Sequence, residues 1–395
     1  MATQTKQESI PQDIIIQIFS WLPIKSLMRF KCVSKFYNSL VLERNFGDLH
    51  LSHYFKISRG DTKFIARVKD VCYAIEEHDE DGSATMHQTE CFNKLYDHIN
   101  GPPDEYQDHF MCDNGLCCIW DVTYNAMGDV FLKYIAIYNP TTREVRFLPH
   151  LKDFEPTSFT YYICSIGFEP KENKYKVLLV INFSIELSRA WVFTLGIDKS
   201  WREIKFEHGY DIPPYRSGIC ISGIIYRFGG APESCIAAFD VKSEIFRSIP
   251  TCRELVNTLD VSKYDYMLIE VEGKIAILEF LDFWFTEDIH LWIFGETRKD
   301  EWEHHIFRFP LGSEGIYLRS HRIRKYRGEE IVFAMNITAN DVLVCFCYDV
   351  KKKSWRHFEV QGSPVSVGSI CIYAESLFSL ENIGSTHHQV QLQGN

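Results

Sequence analysis

The chain has 395 residues, of which 46% are hydrophobic and 14% aromatic, and its formal net charge is −11. This composition excludes a disordered chain, and the length predicts either a small module joined to a large one or one large repetitive β fold. The acidic balance disfavours nucleic acid and anionic membranes as partners and favours a basic partner.

The N-terminus and the cysteines indicate the compartment. The segment MATQTKQESIPQD has no hydrophobic signal core, and no later apolar run is long enough to span a membrane. We therefore expect a cytoplasmic or nuclear protein without membrane contact. The 13 cysteines are scattered through apolar segments, as Cys164, Cys220 and Cys371 are. This distribution predicts buried, reduced thiols.

Residues 10–45 predict three short helices. Pro23 separates the first helix from the second, and Ser34 is a candidate N-cap for the third. The apolar positions of the first helix have the i, i+3, i+4, i+7 spacing of a single face: Ile15, Ile18, Phe19 and Leu22. Helices this short cannot bury all their large apolar side chains against one another, so some must contact the rest of the chain or a second protein.

The stretch SIPQDIIIQIFSWLPIKSLMRFKCVSKFYNSLV (9–41) resembles the F-box, particularly its plant form. It departs from the family pattern at Ile10, where Leu is usual, and at Phe36, where Trp is usual. In that family the helices dock on a Skp-type linker, which joins the cullin and RING subunits of a ubiquitin ligase. The resemblance implies a docking face formed or supported by Pro11, Ile15, Leu22, Pro23, Leu27, Cys32, Val33 and Phe36. The alternative is a helical head packed only on its own body.

Three stretches of the remaining chain align without gaps: YNPTTREVRFLP (138–149), FDVKSEIFRSIP (239–250) and YDVKKKSWRHFE (348–359). Each has an aromatic residue, then Asn or Asp, a charged turn and an apolar anchor. LGIDKSWREIKF (195–206) and FGETRKDEWEHHIFRFP (294–310) fit with a different turn length. The anchors recur about every 45 to 56 residues and are Val145, Trp201, Phe246, Trp302 and Trp355.

A repeat of this length built from hairpins predicts a kelch-like β-propeller of about six blades, with a pair of packed sheets as the alternative. Five blades are clear, and we expect a sixth to form from residues 50–100 and the closing segment 365–380. The recurring anchors are expected to pack between blades. Client binding is expected on variable loops. The candidate loops are 76–90, 100–110, 207–217, 281–288 and 319–327.

The body also resembles the F-box-associated domain of plant F-box proteins, through IAIYNPTTREVRFLP, SIGFEPKENKYKVLLV and VFTLGIDKSWREI. The head and the ending SICIYAESLFSLE (369–381) are most similar to S-locus F-box and S-locus F-box-like proteins. That resemblance implies an adaptor in pollen that captures basic S-ribonucleases (S-RNases) for ubiquitylation. The alternative is an adaptor for an unrelated client in general plant proteolysis, stress or development.

Motifs for catalysis and for cofactor binding are absent from the sequence, including GxxxxGK[ST], GxSxG and HExxH. Cys112, Cys117 and Cys118 lack the paired spacing of a zinc site. Cys345 and Cys347 alternate on a predicted strand and are expected to be buried thiols on one face. We therefore expect no catalytic residue, no metal and no cofactor. The alternatives are an enzyme on a kelch-like propeller and a propeller lectin or scaffold.

The predicted organisation has four parts, namely a flexible N-terminus (1–8), an F-box (9–48), a substrate-recognition domain (49–380) and a polar tail (381–395). The basic run RSHRIRKYR lacks the interleaved aromatic residues of a nucleic-acid surface. It is expected to be a solvated loop or a contact for an acidic partner. The sequence as a whole predicts a non-catalytic adaptor with a protein client.

Overall fold

The fold was obtained as a computed structural model. The structure describes residues 10–43, 46–47, 49–50, 63–68, 71–78, 83–91, 109–151, 160–184, 187–205, 218–229, 235–251, 264–281, 288–295, 302–310, 318–327, 330–337, 342–362, 369–381 and 383.

The helical head contains the three predicted helices, α1 (Gln12–Ser20), α2 (Ile24–Lys31) and α3 (Lys35–Leu42). The predicted N-cap is confirmed, because the Ser34 hydroxyl accepts a hydrogen bond from the Tyr37 N–H at 3.2 Å. Pro23 is the N-cap residue of α2, and its carbonyl accepts the Leu27 N–H. The buried core of the head consists of Phe19, Leu27, Leu40, Val41 and Phe46.

The body is all β, and its strands form six four-stranded units that we call blades I to VI. Blades I and II contain β4 (Phe110–Asp113), β5 (Leu116–Tyr124), β6 (Val130–Asn139) and β7 (Glu144–Phe147), then β8 (Tyr161–Glu169), β9 (Lys174–Ser184), β10 (Leu187–Thr194) and β11 (Arg202–Ile204). Blades III and IV contain β12 (Ile219–Ile221), β13 (Ile224–Gly229), β14 (Cys235–Asp240) and β15 (Ile245–Pro250), then β16 (Tyr264–Val271), β17 (Lys274–Leu281), β18 (Asp288–Phe294) and β19 (Trp302–Arg308).

Blade V contains β20 (Leu318–Arg327), β21 (Glu330–Ile337), β22 (Val342–Asp349) and β23 (Ser354–Gln361). Blade VI contains the first three strands of the body, β1 (Lys63–Val68), β2 (Val71–His78) and β3 (Ser83–Cys91), together with the last strand, β24 (Ser369–Tyr373). A short parallel pairing between β23 and β3 joins blades V and VI into one eight-stranded sheet.

The innermost strands contact one another in the cyclic order β24, β4, β8, β12, β16 and β20, which closes a ring of six blades. The closure expected from the sequence is confirmed, because β24 pairs antiparallel with β1 from Lys63–Tyr373 to Arg67–Ser369. Strands from opposite ends of the chain therefore share blade VI, and the propeller with about six blades is confirmed over two packed sheets.

The recurring anchors lie between blades, as predicted. The Trp201 indole N–H donates to the Pro149 carbonyl at 2.6 Å, which ties blade II to the end of blade I. Trp355 of blade V donates in the same way to the Arg308 carbonyl of blade IV at 3.0 Å. Where the anchor is tryptophan, the repeat therefore places the same indole–carbonyl contact at a blade junction.

The Asn or Asp of the three repeats that align without gaps caps a turn. Asp240 Oδ1 accepts the Lys242 and Ser243 N–H groups at 2.9 and 2.8 Å, and Asp349 Oδ1 accepts the Lys352 N–H at 2.8 Å. These side-chain bonds stabilise the tight turn before the outermost strand of the blade.

Ion pairs also link neighbouring blades. Arg202 of blade II bonds both carboxylate oxygens of Glu244 in blade III, and Lys176 bonds the same carboxylate at 2.7 Å. Arg356 of blade V pairs with Glu77 of blade VI. In these two repeats, the Arg that follows the anchor therefore forms an ion pair with the neighbouring blade.

Candidate functional site

The head exposes a row of large apolar side chains. Ile14, Ile18 and Trp21 follow one another at helical spacing along and just after α1, and each is 41% to 50% exposed. Val33, in the turn between α2 and α3, is 67% exposed. We call the exposed set the apolar row, and it consists of Ile10, Ile14, Ile18, Trp21, Val33 and Phe36.

The single apolar face predicted for α1 is split in the structure. Phe19 is buried, and Ile15 and Leu22 pack in its neighbourhood against the head core. Ile18, assigned to the same face from the sequence, is 49% exposed. The reason is the size of the head, because three short helices can enclose only one side of α1. Ile14 and Trp21 were missed, although they share the i, i+4, i+7 spacing with Ile18.

The eight residues expected at the docking face fall into three groups. Pro11, Pro23, Cys32, Val33 and Phe36 are exposed, whereas Ile15 and Leu22 are half-buried. Leu27 is 0% exposed and belongs to the head core. Leu27 can therefore support the face from within, but it cannot contact a second protein unless the head rearranges.

The propeller has two unlike faces. Antiparallel strands reverse at alternate ends, so short turns such as Asn114–Gly115 and 140–143 lie at one face. Leu377, which follows β24 at this face, packs against the core of the head. The face with the short turns is therefore the head-side face.

In sequence, the segments that join the strand ends of the opposite face are more acidic than those that join the strand ends of the head-side face. They contain 18 Asp and Glu residues against 7 Lys and Arg, whereas the head-side connections contain 11 against 9. The opposite-face connections are 69–70, 92–109, 125–129, 148–160, 185–186, 205–218, 230–234, 251–263, 282–287, 309–317, 338–341 and 362–368. Segments of this composition favour a basic partner.

One connection at the opposite face is described in full and is held tightly. The Asn125 side chain accepts the N–H groups of Met127 and Asp129 at 2.9 and 2.8 Å and donates to the Asp129 carboxylate. Met127 at its tip is 86% exposed. Tyr124, in the strand leading to this turn, is also exposed. The turn therefore presents an apolar side chain on a pre-organised backbone.

The candidate client-binding loops have mixed outcomes. Residues 100–108, 207–217 and 282–287 of these loops lie outside the described residues. The assignment of 319–327 as a loop is wrong, because this basic run lies in β20 and pairs with β21 through Arg319–Asn336 and Arg327–Glu330. The assignment of 76–90 is wrong for most of its length, since β2 and β3 occupy it. Backbone pairing in a blade overrides the polar composition of both stretches.

Cysteine chemistry departs from the sequence prediction at one place. Cys164, Cys220 and Cys371 are buried thiols outside any disulfide, as expected, and so are Cys345 and Cys347. Burial raises the pKa of Cys347 to about 12, which keeps its thiol protonated.

Cys112 and Cys117, by contrast, form a disulfide. They are direct partners across the β4–β5 hairpin, where neighbouring side chains on one face meet. The expectation of a reduced thiol is wrong for these two positions.

No group of three or more His, Cys, Asp or Glu residues in the described part of the chain is placed to hold a metal ion. His304 contacts His290 at 3.1 Å between ring nitrogens and stacks on Trp292. Within the same described residues, no helix is long and apolar enough to cross a membrane.

Comparison with known families agrees with this architecture. The model of the F-box associated beta propeller domain matches residues 70–382, and the F-box domain model matches residues 8–49. The chain belongs to the F-box-associated propeller family and carries an N-terminal F-box.

Ile383 is buried in the core of blades I to III, so the ordered body extends past the predicted start of the tail at 381.

Proteins similar to this chain occur in Arabidopsis thaliana. F-box protein At1g52495 is 27% identical, with 92% of this chain and 83% of the relative covered. F-box protein At1g30790 is 26% identical, with 90% of each chain covered. F-box only protein 8 is 28% identical over 63% of this chain and 82% of its own length. This chain is therefore similar to plant F-box proteins along most of its length.

Proposed function

We propose that this protein is a substrate-recognition adaptor of an SCF-type cullin–RING ubiquitin ligase that acts in the cytoplasm. The observation that carries the proposal is the apolar row on the F-box. The head, with its three short helices, leaves six large apolar side chains in solvent, and the charged residues Arg29 and Lys35 are exposed as well. Exposed large apolar side chains in this number on so small a module are typical of a protein interface.

The proposed partner at the apolar row is the Skp-type linker, and through it the cullin and RING subunits. Val33 and Phe36 would contact the linker together with Ile14, Ile18 and Trp21. Leu27, Ile15 and Leu22 would support these contacts from the head core. Pro11, Pro23 and Cys32 are exposed beside them and complete the proposed docking face.

The proposed role involves no covalent chemistry by this chain. An adaptor raises the effective concentration of client lysines near the charged ubiquitin-conjugating enzyme, and this proximity accelerates transfer. A client held at the opposite face of the propeller would leave the F-box free for its linker.

The proposed client is a basic protein, and S-RNase is the specific candidate because of the resemblance to S-locus F-box proteins. Two features support a basic client at the opposite face, namely the excess of acidic residues in its connections and the exposed Met127 on a rigid turn. Charge would guide the encounter, whereas an apolar contact would contribute to the lifetime of the complex.

Reconstitution tests the proposal. The full chain, a plant Skp-type linker, cullin, RING subunit and ubiquitin-conjugating enzyme would be combined with a purified S-RNase. We expect ubiquitin on the S-RNase, binding that weakens as salt increases, and weaker binding by Met127→Asp. The matched control is Ile245→Asp, because Ile245 is 55% exposed on the outer strand of blade III. Equal binding by both variants would contradict the proposed client face, and absence of ubiquitylation would contradict the S-RNase assignment.

A further inference from the structure

The segment that follows β24 runs along the head-side face of blade I. We call residues 374–381 and Ile383 the C-terminal strap. The Asn139 side-chain amide donates to the carbonyls of Ser376 and Phe378 at 3.0 and 2.9 Å. The Thr141 hydroxyl accepts the Ser376 N–H at 3.1 Å. These bonds hold the strap against the last turn of blade I.

A further polar bond continues this attachment. The Leu380 N–H donates to the Glu144 carboxylate at 2.9 Å. On the other side of the blade, the β4–β5 hairpin approaches the strap so closely that a Cβ on Gly115 would lie 2.5 Å from the Ala374 carbonyl oxygen. Gly115 has φ of +86°, so both space and backbone conformation require glycine there. The strap is thus fitted to blade I by polar bonds and by close backbone contact.

Apolar side chains of the strap point in two directions. Leu380 and Ile383 are buried in the core shared by blades I to III, and Phe378 packs edge-on against Tyr175 with ring centroids 4.8 Å apart. Leu377 directly precedes Phe378 in sequence but packs against the head core. Successive side chains of an extended segment point to opposite sides, which explains how one strap contacts both modules.

We propose that Leu377 is a positioning residue that fixes the orientation of the F-box on the propeller. The head is covalently connected to the body only through the segment that precedes β1, and one connection leaves a module free to rotate. A second attachment through Leu377 removes that freedom. Resting on the proposed function, this orientation would set the direction in which a bound client faces the ubiquitin-conjugating enzyme.

Single-molecule energy transfer on the full chain, without any partner, tests the proposal. The dyes would be attached to noncanonical amino acids at Lys35 of α3 and Lys199 of the β10–β11 turn, because both positions are exposed. We expect one narrow distribution of transfer efficiency in the wild type and in Leu377→Met, which keeps the apolar volume. Leu377→Ser should broaden the distribution. Glu381→Ala, an exposed strap position, is the matched control and should leave it narrow.

Hydrogen exchange of the α1–α3 amides distinguishes positioning from folding. We expect the head of Leu377→Ser to keep its protection within about twofold of the wild type while its orientation spreads. A narrow distribution in Leu377→Ser, or a broad one in the wild type, would overturn the proposal. Broadening accompanied by loss of protection in α1–α3 would also overturn it, since Leu377 would then maintain the fold of the head. The test uses no linker, so failure of the adaptor role would be detected separately.

Discussion

Replacement of Asn139 by Asp separates two tasks that one side chain performs. Asn139 is 0% exposed. Its Oδ1 accepts the Thr141 and Thr142 N–H groups at 2.9 and 3.3 Å, as Asp240 Oδ1 does for the equivalent turn of blade III. Only an amide can also donate, and the Asn139 Nδ2 donates to two strap carbonyls. The chain therefore has Asn where the strap crosses the turn and Asp in the repeat of blade III.

Asn139→Asp keeps the acceptor for the turn but removes both donors to the strap and places a carboxylate beside two carbonyl oxygens. Each lost hydrogen bond with an unsatisfied buried carbonyl costs about 1–2 kcal/mol, so we expect the free energy of unfolding to fall by about 2–4 kcal/mol. Urea denaturation followed by tryptophan fluorescence measures this change.

Asp240→Asn is the matched control, because it keeps the turn acceptor of blade III and has no strap carbonyl to lose. We expect the control to change the free energy of unfolding by less than about 1 kcal/mol. If Asn139→Asp were as stable as the wild type, or if both substitutions destabilised the protein equally, the assignment of the Asn139 amide to the strap would be refuted.

Three further predictions concern the head, the blade junctions and acid stability. Leu27→Ala should destabilise the head by about 2–5 kcal/mol, because Leu27 is fully buried. Loss of hydrogen-exchange protection in α1–α3 would report this destabilisation, and unchanged protection would contradict the burial of Leu27. Trp355→Phe keeps an aromatic ring between blades IV and V but removes the hydrogen bond to the Arg308 carbonyl. Urea denaturation should therefore show that the free energy of unfolding falls by about 1 kcal/mol. An unchanged free energy of unfolding would argue against that hydrogen bond. Hydrogen bonds from Arg202 and Lys176 lower the pKa of Glu244 to about 2, so its contribution is complete above its usual value of 4.5 and is lost as the pH falls toward 2. In Glu244→Gln, the free energy of unfolding should fall less between these pH values than in the wild type, and an identical pH profile would contradict the ion pair.

Sequence patterns predicted the features that depend on local chemistry or on a repeat. The Ser34 cap could be predicted because its bond spans three residues. The position of Trp355 between blades followed from the recurrence of an aromatic anchor in each repeat. The closing strand could be predicted because five repeats left one incomplete unit at each end of the chain.

The exposed face of the head could not be assigned from periodicity alone. Helical spacing shows which residues share a side, but it does not show which side is covered when both are apolar. Ile18 and Phe19 are neighbours in α1, yet one is half exposed and the other is buried. Leu27 and Val33 likewise look alike in sequence, and packing of α2 on α3 determines that only Val33 is in solvent.

Long-range contacts, and strands without alternating apolar and polar residues, also could not be predicted from the sequence. Nothing in the sequence around Leu377 indicates that this side chain contacts a helical head more than 300 residues earlier in the chain. The basic stretch of β20 has few apolar residues, and its strand conformation depends on pairing with β21.

The most direct test of the central claim is a binding titration of the full chain with a purified plant Skp-type linker. Val33→Asp is the decisive variant, because Val33 is 67% exposed and its replacement leaves the head core intact. Ile306→Asp, a change at a 59% exposed position on the outer strand of blade IV, is the control. The adaptor role predicts a one-to-one complex that persists in Ile306→Asp and is lost in Val33→Asp while the helices remain folded. Absence of a complex at micromolar concentrations, or equal binding by Val33→Asp, would contradict it.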